Sequence, residues 1–260
     1  LSGKSPVEIG LGDLEEFIAW LYDRLPNERS QARVLSGIRS FYKYLLLEDE
    51  IEDDPSQGLD GPKLSRKMPT VLTVDEVNRM LESVDLSKPT VQRDRAILET
   101  LYACGLRVSE LIDLKISQLF FEIGYIRVIG KNNKQRIIPI GEDAIHYIKQ
   151  YQKERNTGKI DPQAQDILFL NNRGRGLSRV MVYYIVRDAA GDAGIEKKVS
   201  PHTLRHSFAT HLIEGGADLK AIQDMLGHES ILTTEIYTHL DTQYLRETLA
   251  MYHPAWKQSS

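Results

Sequence analysis

The sequence has a single cysteine, Cys104. One thiol closes no intrachain disulfide and builds no cysteine zinc site. A reducing, intracellular compartment is the expectation. No apolar run approaches the roughly 18–20 residues that span a bilayer, so no membrane is expected among the partners. The opening, LSGKSPVEIG, lacks the basic start and apolar centre of a signal peptide. It also lacks an initiator methionine, and the chain is expected to begin inside a longer gene product. There is no HExxH zinc motif and no GxxxxGK(S/T) phosphate loop. A large charge imbalance is missing as well: the net charge is −4.

That small total hides an uneven distribution. Residues 1–62 hold 6 basic and 13 acidic side chains, whereas the rest holds 27 and 24. Acid is concentrated in EDEIEDD (48–54). Basic clusters follow at Lys131, Lys134 and Arg136, then at Arg173, Arg175 and Arg179. An acidic total does not exclude a nucleic acid, because only the facing surface must be positive.

Apolar residues recur at helical spacing in 11–23 and 28–48. Asp13 is placed to cap the first helix. The second carries Val34, Leu35, Ile38, Phe41, Tyr42 and Leu45 on one face, and Arg29, Arg33, Arg39 and Lys43 on the other. Residues 53–70, with three prolines and two glycines, read as a linker. Thr73 to Glu76 is a capping box opening a helix that runs to about Val84. Further helices are expected at 91–104, 107–114, 142–155, 178–193, 201–214, 219–226, 231–239 and 242–251. Between them, YIRVIG and RIIPI flank the polar turn at Lys131–Lys134, a β-hairpin pattern. ILFL (167–170) reads as a short strand or connection. The fold class is mainly α with a small antiparallel sheet or hairpin.

Five of the seven histidines fall between Ser200 and Leu240: His202, His206, His211, His228 and His239. Arg205 and Tyr237 lie in the same stretch. Phosphodiester chemistry needs this combination: arginine forks the oxygens, imidazole moves a proton and a phenol attacks. Arg107 is a second candidate clamp, and Lys131, in a hairpin turn, a candidate proton donor. A free tyrosine, of pKa ~10, is only ~0.1% ionised near neutrality, so it needs cations or a base beside it. Each residue also has an ordinary reading. Arg107 can simply pair with Glu110 or Asp113, and Tyr237 can be a half-buried core aromatic. Residues 217–240 also resemble a helix-turn-helix, but the second helix, 231–239, carries no Arg, Lys, Asn or Gln to read bases.

The segments ACGLRVSELIDL (103–114), YIRVIGKNNKQRIIPIG (125–141), SPHTLRHSFATHLIEGGADLKAIQDMLGH (200–228) and TTEIYTHL (233–240) carry a resemblance to the tyrosine recombinase (phage integrase) family, most closely to its Xer-type members. The resemblance implies a site-specific DNA recombinase that forms a 3′-phosphotyrosyl intermediate and exchanges strands through a Holliday junction, without cofactor or metal. It implies Arg107 and Arg205 as the phosphate clamp and Lys131 as general acid, with Lys134 nearby as a competitor. His202 and His228 then assist, and Tyr237 attacks. It demotes His206, His211 and His239 to supporting roles. Arg33, Lys43, Lys134, Arg136, Arg173, Arg175 and Arg179 are expected DNA contacts. Residues 1–62 then form a helical core-binding domain lacking its first helices, 63–70 a linker, and 71–260 the catalytic domain. The final helix, 242–251, is expected to pass to a neighbouring protomer in a tetramer on two duplexes. The implied setting is the bacterial cytoplasm at the nucleoid, in chromosome partition or mobile-element integration. Type IB topoisomerase activity and non-catalytic DNA binding are the alternatives.

Overall fold

Helices dominate because apolar residues recur at three- and four-residue intervals along most of the chain. The computed structural model describes residues 3–63, 70–84, 89–130, 133–227 and 239–256. It divides into two units, Leu1–Met68 and Pro69–Ser260.

The first unit is built on helices α1 (Leu11–Arg24) and α2 (Glu28–Leu47). Asp13 does cap α1, but from inside its first turn, accepting from Gly10 N at 3.0 Å. Asn27 caps α2 by accepting from the amides of Arg29 and Ser30. Leu14, Ile18 and Leu21 pack with Leu35, Tyr42, Leu45 and Leu59. Phe41, expected on the buried stripe, is 44% exposed, and Trp20, Tyr44 and Leu47 are exposed too. Two helices therefore cover only part of their own apolar surface.

The second unit begins with α3 (Val74–Glu82). Its capping box forms as expected: Glu76 N donates to Thr73 Oγ1 at 3.2 Å, and Thr73 N donates to Glu76 Oε2 at 2.7 Å. Helix α4 (Val91–Cys104) is the platform of this unit. From Ala96 onward every residue is buried. It packs against α6 (Glu142–Arg155) and α8 (Pro201–Gly215). A helix buried all round shows no apolar stripe, only a long apolar run. Cys104 closes α4, fully buried, and burial pushes its thiol up to about 12.

Gly105 ends α4 at φ 57°, and a Cβ there would lie 2.5 Å from Phe208 Cδ1. Glycine is needed for both reasons. The turn delivers Arg107 to the start of the short α5 (Val108–Ile112). Strands β1 (Leu119–Phe120), β2 (Tyr125–Ile129) and β3 (Gln135–Pro139) form one antiparallel sheet in that order. The expected hairpin is β2–β3, with Val128 opposite Arg136 and Ile126 opposite Ile138. Two-residue β1 is too short to show a period. Residues 167–170 form only isolated bridges, Lys115 with Ile167 and Leu170 with Gly176. Helix α7 (Arg179–Asp192) starts at the Ser178 cap, and α9 (Leu219–Leu226) at the Asp218 cap.

The last helix, α10 (His239–Tyr252), packs on β3, α8 and α9 of its own chain, burying Leu245 and Leu249. The helix expected over 231–239 falls almost wholly outside the described residues. Just past α10, His253 is fully buried between the rings of Tyr102 and Phe208, at 4.8 and 5.0 Å. Its Nδ1 accepts from Ala255 N at 3.2 Å. Nearby, His211 Nε2 donates to Leu72 O at 2.8 Å, since a carbonyl only accepts, and Nδ1 accepts from the Tyr102 hydroxyl at 2.8 Å. His211 is thus a buried core residue.

Burial, followed by the neighbouring His211, depresses the His253 pKa to about 3. The folded state therefore binds fewer protons than the unfolded chain below the ordinary histidine value of 6.5. Its contribution is complete above that value and erodes as the pH falls toward 3. From pH 7.5 to pH 5 this one residue costs about 2 kcal/mol of stability. His253→Asn is expected to flatten the acid limb by that amount in urea unfolding at the two pH values.

Candidate active site

Three guanidinium groups meet at the C-terminal end of α9. A helix leaves its last carbonyls without partners, and these carry the negative end of its dipole. Here Arg136 Nε donates to Met225 O at 2.8 Å, Arg205 Nη2 to Leu226 O at 2.6 Å and Arg107 Nη2 to Gly227 O at 3.1 Å. Each arginine comes from a different element. Arg107 is the N-cap of α5, Arg136 lies in β3 and Arg205 in α8. Gly227 takes φ 62°, which turns the chain away from the helix at this point.

One carboxylate holds the group together. Glu110 Oε1 and Oε2 accept from Arg136 Nη1 and Nη2 at 2.7 and 2.8 Å, a bidentate fork. Glu110 Oε1 also accepts from Arg107 Nη1 at 2.9 Å, and Oε2 from Arg107 N at 2.8 Å. Arg205 Nη1 stands 3.9 Å from Glu110 Oε2 and donates to Gly105 O at 2.6 Å. Burial works against the Glu110 charge, but the bonds and charges of Arg136 and Arg107 outweigh it, and its pKa is lowered. Burial, then Arg107, brings Arg205 down to about 10, still charged near neutrality. Three cations against one anion leave the cluster positive, a receptor for an anionic oxygen group.

His202 lies exposed on α8, edge-on to His206 at 4.5 Å between ring centroids. Burial, then the charges of His206, Arg205 and Arg107, lowers its pKa. The ring is therefore neutral near pH 7 and able to accept a proton.

Among the expected site residues, Arg107, Arg205 and His202 come together. Lys131, His228 and Tyr237 lie outside the described residues. The residue before Lys131 does reach the cluster: a Cβ on Gly130 would sit 3.5 Å from Glu110 Oε1. So does the residue before His228, since a Cβ on Gly227 would sit 3.2 Å from Arg136 Nη1. Arg33 and Lys43 are exposed on α2 of the first unit. Lys134, Arg173, Arg175 and Arg179 are exposed on the second, with Arg175 paired to Asp161 at 3.0 Å.

Arg136 does not fit the expectation of a surface DNA contact. It is 6% exposed, and its guanidinium is taken up by Glu110 and Met225. The reason is the strand period: Arg136 alternates onto the same face as buried Ile138. The sequence offers Glu110 only as an ordinary ion-pair partner of Arg107. Its spacing from Arg107, the N-cap to third-position spacing of a helix start, is the signal that finds it.

The family model described as Phage integrase family matches residues 70–244. The tyrosine recombinase XerD of Chlorobaculum tepidum is 46% identical over 255 residues, covering 97% of this chain and 84% of that protein. The Listeria innocua tyrosine recombinase XerD is 42% identical over 250 residues, covering 96% and 84%. Among solved structures, XerA recombinase is 34% identical with a TM-score of 0.57, over 96% of this chain and 86% of that one. The XerH site-specific recombinase, bound to palindromic difH substrate in a post-cleavage complex, is 27% identical with a TM-score of 0.72, over 95% and 73%. The chain belongs to the phage integrase family and is an enzyme of the tyrosine recombinase class, acting in site-specific recombination. Neither the topoisomerase reading nor that of a non-catalytic DNA-binding protein is favoured by these relatives.

Glu110→Gln is expected to lower stability by about 3 kcal/mol at neutral pH, because it leaves buried guanidinium groups without their anion. The Glu110 pKa is lowered from 4.5, so its contribution is present above that value and is lost as the pH falls through the folded value. Chemical denaturation of both proteins should show the gap at pH 7 closing in acid.

Proposed function

We propose that the chain cleaves and rejoins double-stranded DNA at a recombination site through Tyr237. The phenolic oxygen forms a bond to phosphorus, the bond to the 5′-oxygen breaks, and a 3′-phosphotyrosyl link remains. Arg107 and Arg205 clamp the non-bridging oxygens. Lys131 protonates the leaving 5′-oxygen, with Lys134 as the nearby competitor. His202 takes up the tyrosine proton, and His228 donates to a phosphate oxygen. A 5′-hydroxyl from a second duplex then attacks the phosphotyrosine, which exchanges strands through a Holliday junction. Bond energy is kept in the link, so the step needs no nucleotide triphosphate. The observation that carries this reading is the meeting of Arg107 and Arg205 at the end of α9, with neutral His202 alongside.

In this reading residues 1–62 are part of a core-binding domain, 63–70 a linker and 71–260 the catalytic domain. Arg33 and Lys43 from the first unit, with Lys134, Arg173, Arg175 and Arg179 from the second, contact the phosphate backbone. Four protomers assemble on two duplexes. The seat that α10 fills on its own chain then receives a neighbour's helix instead. The setting is the bacterial cytoplasm, at the nucleoid. The XerH protein solved with its difH substrate supports a DNA partner.

A nicked suicide duplex tests the nucleophile. The wild-type chain is expected to form a covalent protein–DNA adduct on denaturing gels, and Tyr237→Phe to form none while retaining DNA binding. An adduct with Tyr237→Phe assigns the attack to another residue.

A further inference from the structure

The cluster contains a cation that the proposed chemistry does not use. Arg136 ties the acid of the cluster to the end of α9. Its fork occupies both oxygens of Glu110, and its Nε holds Met225 O. Its side chain also lies 3.2–3.3 Å from where a Cβ would stand on Gly227. Each of its three guanidinium nitrogens donates inside the protein, so it does not face a ligand directly.

Its absence would change the charge seen by the other two arginines. Glu110 shares its charge with Arg136 through two bonds, makes one side-chain bond to Arg107 and stands 3.9 Å from Arg205. Without Arg136, the full carboxylate charge falls on Arg107 and Arg205, and buried charge pairs of this kind are strong. The two guanidinium groups would be drawn to Glu110, and about half of their joint charge would be offset before a phosphate arrives. The end of α9, which also binds both, would lose one of its three anchors. Arg136 also joins the β2–β3 hairpin to α5 and α9, so the three elements lose a common tie.

We propose that Arg136 is a positioning residue for phosphodiester cleavage: it neutralises Glu110 and fixes the end of α9, leaving Arg107 and Arg205 free to clamp the scissile phosphate. The proposal rests on the reading of Arg107 and Arg205 as that clamp. Arg136 touches neither substrate nor reacting atoms, so its effect is on the charge and aim of the other two.

The test uses the full chain and two suicide duplexes, one with an ordinary scissile phosphodiester and one with a methylphosphonate there. Methylphosphonate removes the negative charge that the clamp neutralises, so a defect in the clamp matters less on it. Arg136→Gln is expected to bind duplex DNA as the wild type does and to form adduct about 100-fold more slowly on the phosphodiester. On the methylphosphonate its rate is expected within about 3-fold of the wild type. Arg136→Lys keeps a charge but not the fork. It is expected to show the same dependence on substrate with a smaller loss, and it provides the comparison if the glutamine variant does not fold. An equal loss on both substrates, or no loss on either, overturns the proposal. Arg205→Ala, run alongside, separates the two readings. If it does not recover on methylphosphonate, the clamp assignment falls and the proposal with it. If it recovers and the Arg136 variants do not, the proposal alone falls.

Discussion

The second unit depends on how the end of α9 is satisfied. Three consecutive peptide carbonyls, of Met225, Leu226 and Gly227, need donors where water has little access. Three arginines supply them, Arg107 and Arg136 from elements far away in sequence and Arg205 from α8, the helix just before. That single arrangement draws together the start of α5, strand β3, helix α8 and the turn that leaves α9. Three guanidinium groups in one place would repel one another, and Glu110 makes the cluster tolerable by sitting between them. Because the anion is single, the cluster keeps a positive excess. The bonds that satisfy the helix end therefore also gather three cations in one place.

The rest of the unit brings those arginines to the right places. Helix α4 is buried on all sides and forms the floor on which α6 and α8 rest. Its left-handed glycine end, Gly105, closes on Phe208 of α8 and at the same time offers its carbonyl to Arg205. A larger residue there would push α4 and α8 apart at the point where the clamp is assembled.

Most helices were legible from apolar residues at helical spacing, and α3 also from its Thr73–Glu76 capping box; Ser178 and Ser200 cap α7 and α8 in the structure. Caps act locally, so sequence reports them well. The β2–β3 hairpin was legible from its period of two, while β1 was too short to have a period. Arg107, Arg205 and His202 were legible because residue chemistry and family motifs agree. Arg136 was misread because its charge was weighed without its strand position. Alternation with Ile138 places it inward, and the cost of burying it is offset by Glu110, a partner 26 residues away. Long-range compensation of that kind is written in no local window. Phe41 shows the reverse limit: helical spacing identifies a face, but not how much of it has something to pack against.

The thiol of Cys104 closes the buried helix α4, at the foot of the Gly105 turn. Burial keeps it protonated, and a protonated, enclosed thiol does not react with alkylating reagents or oxidants. Since the chain has no other cysteine, its chemistry with such reagents is a clock for the opening of α4. An anion bound at the three arginines would favour the closed form and slow that clock.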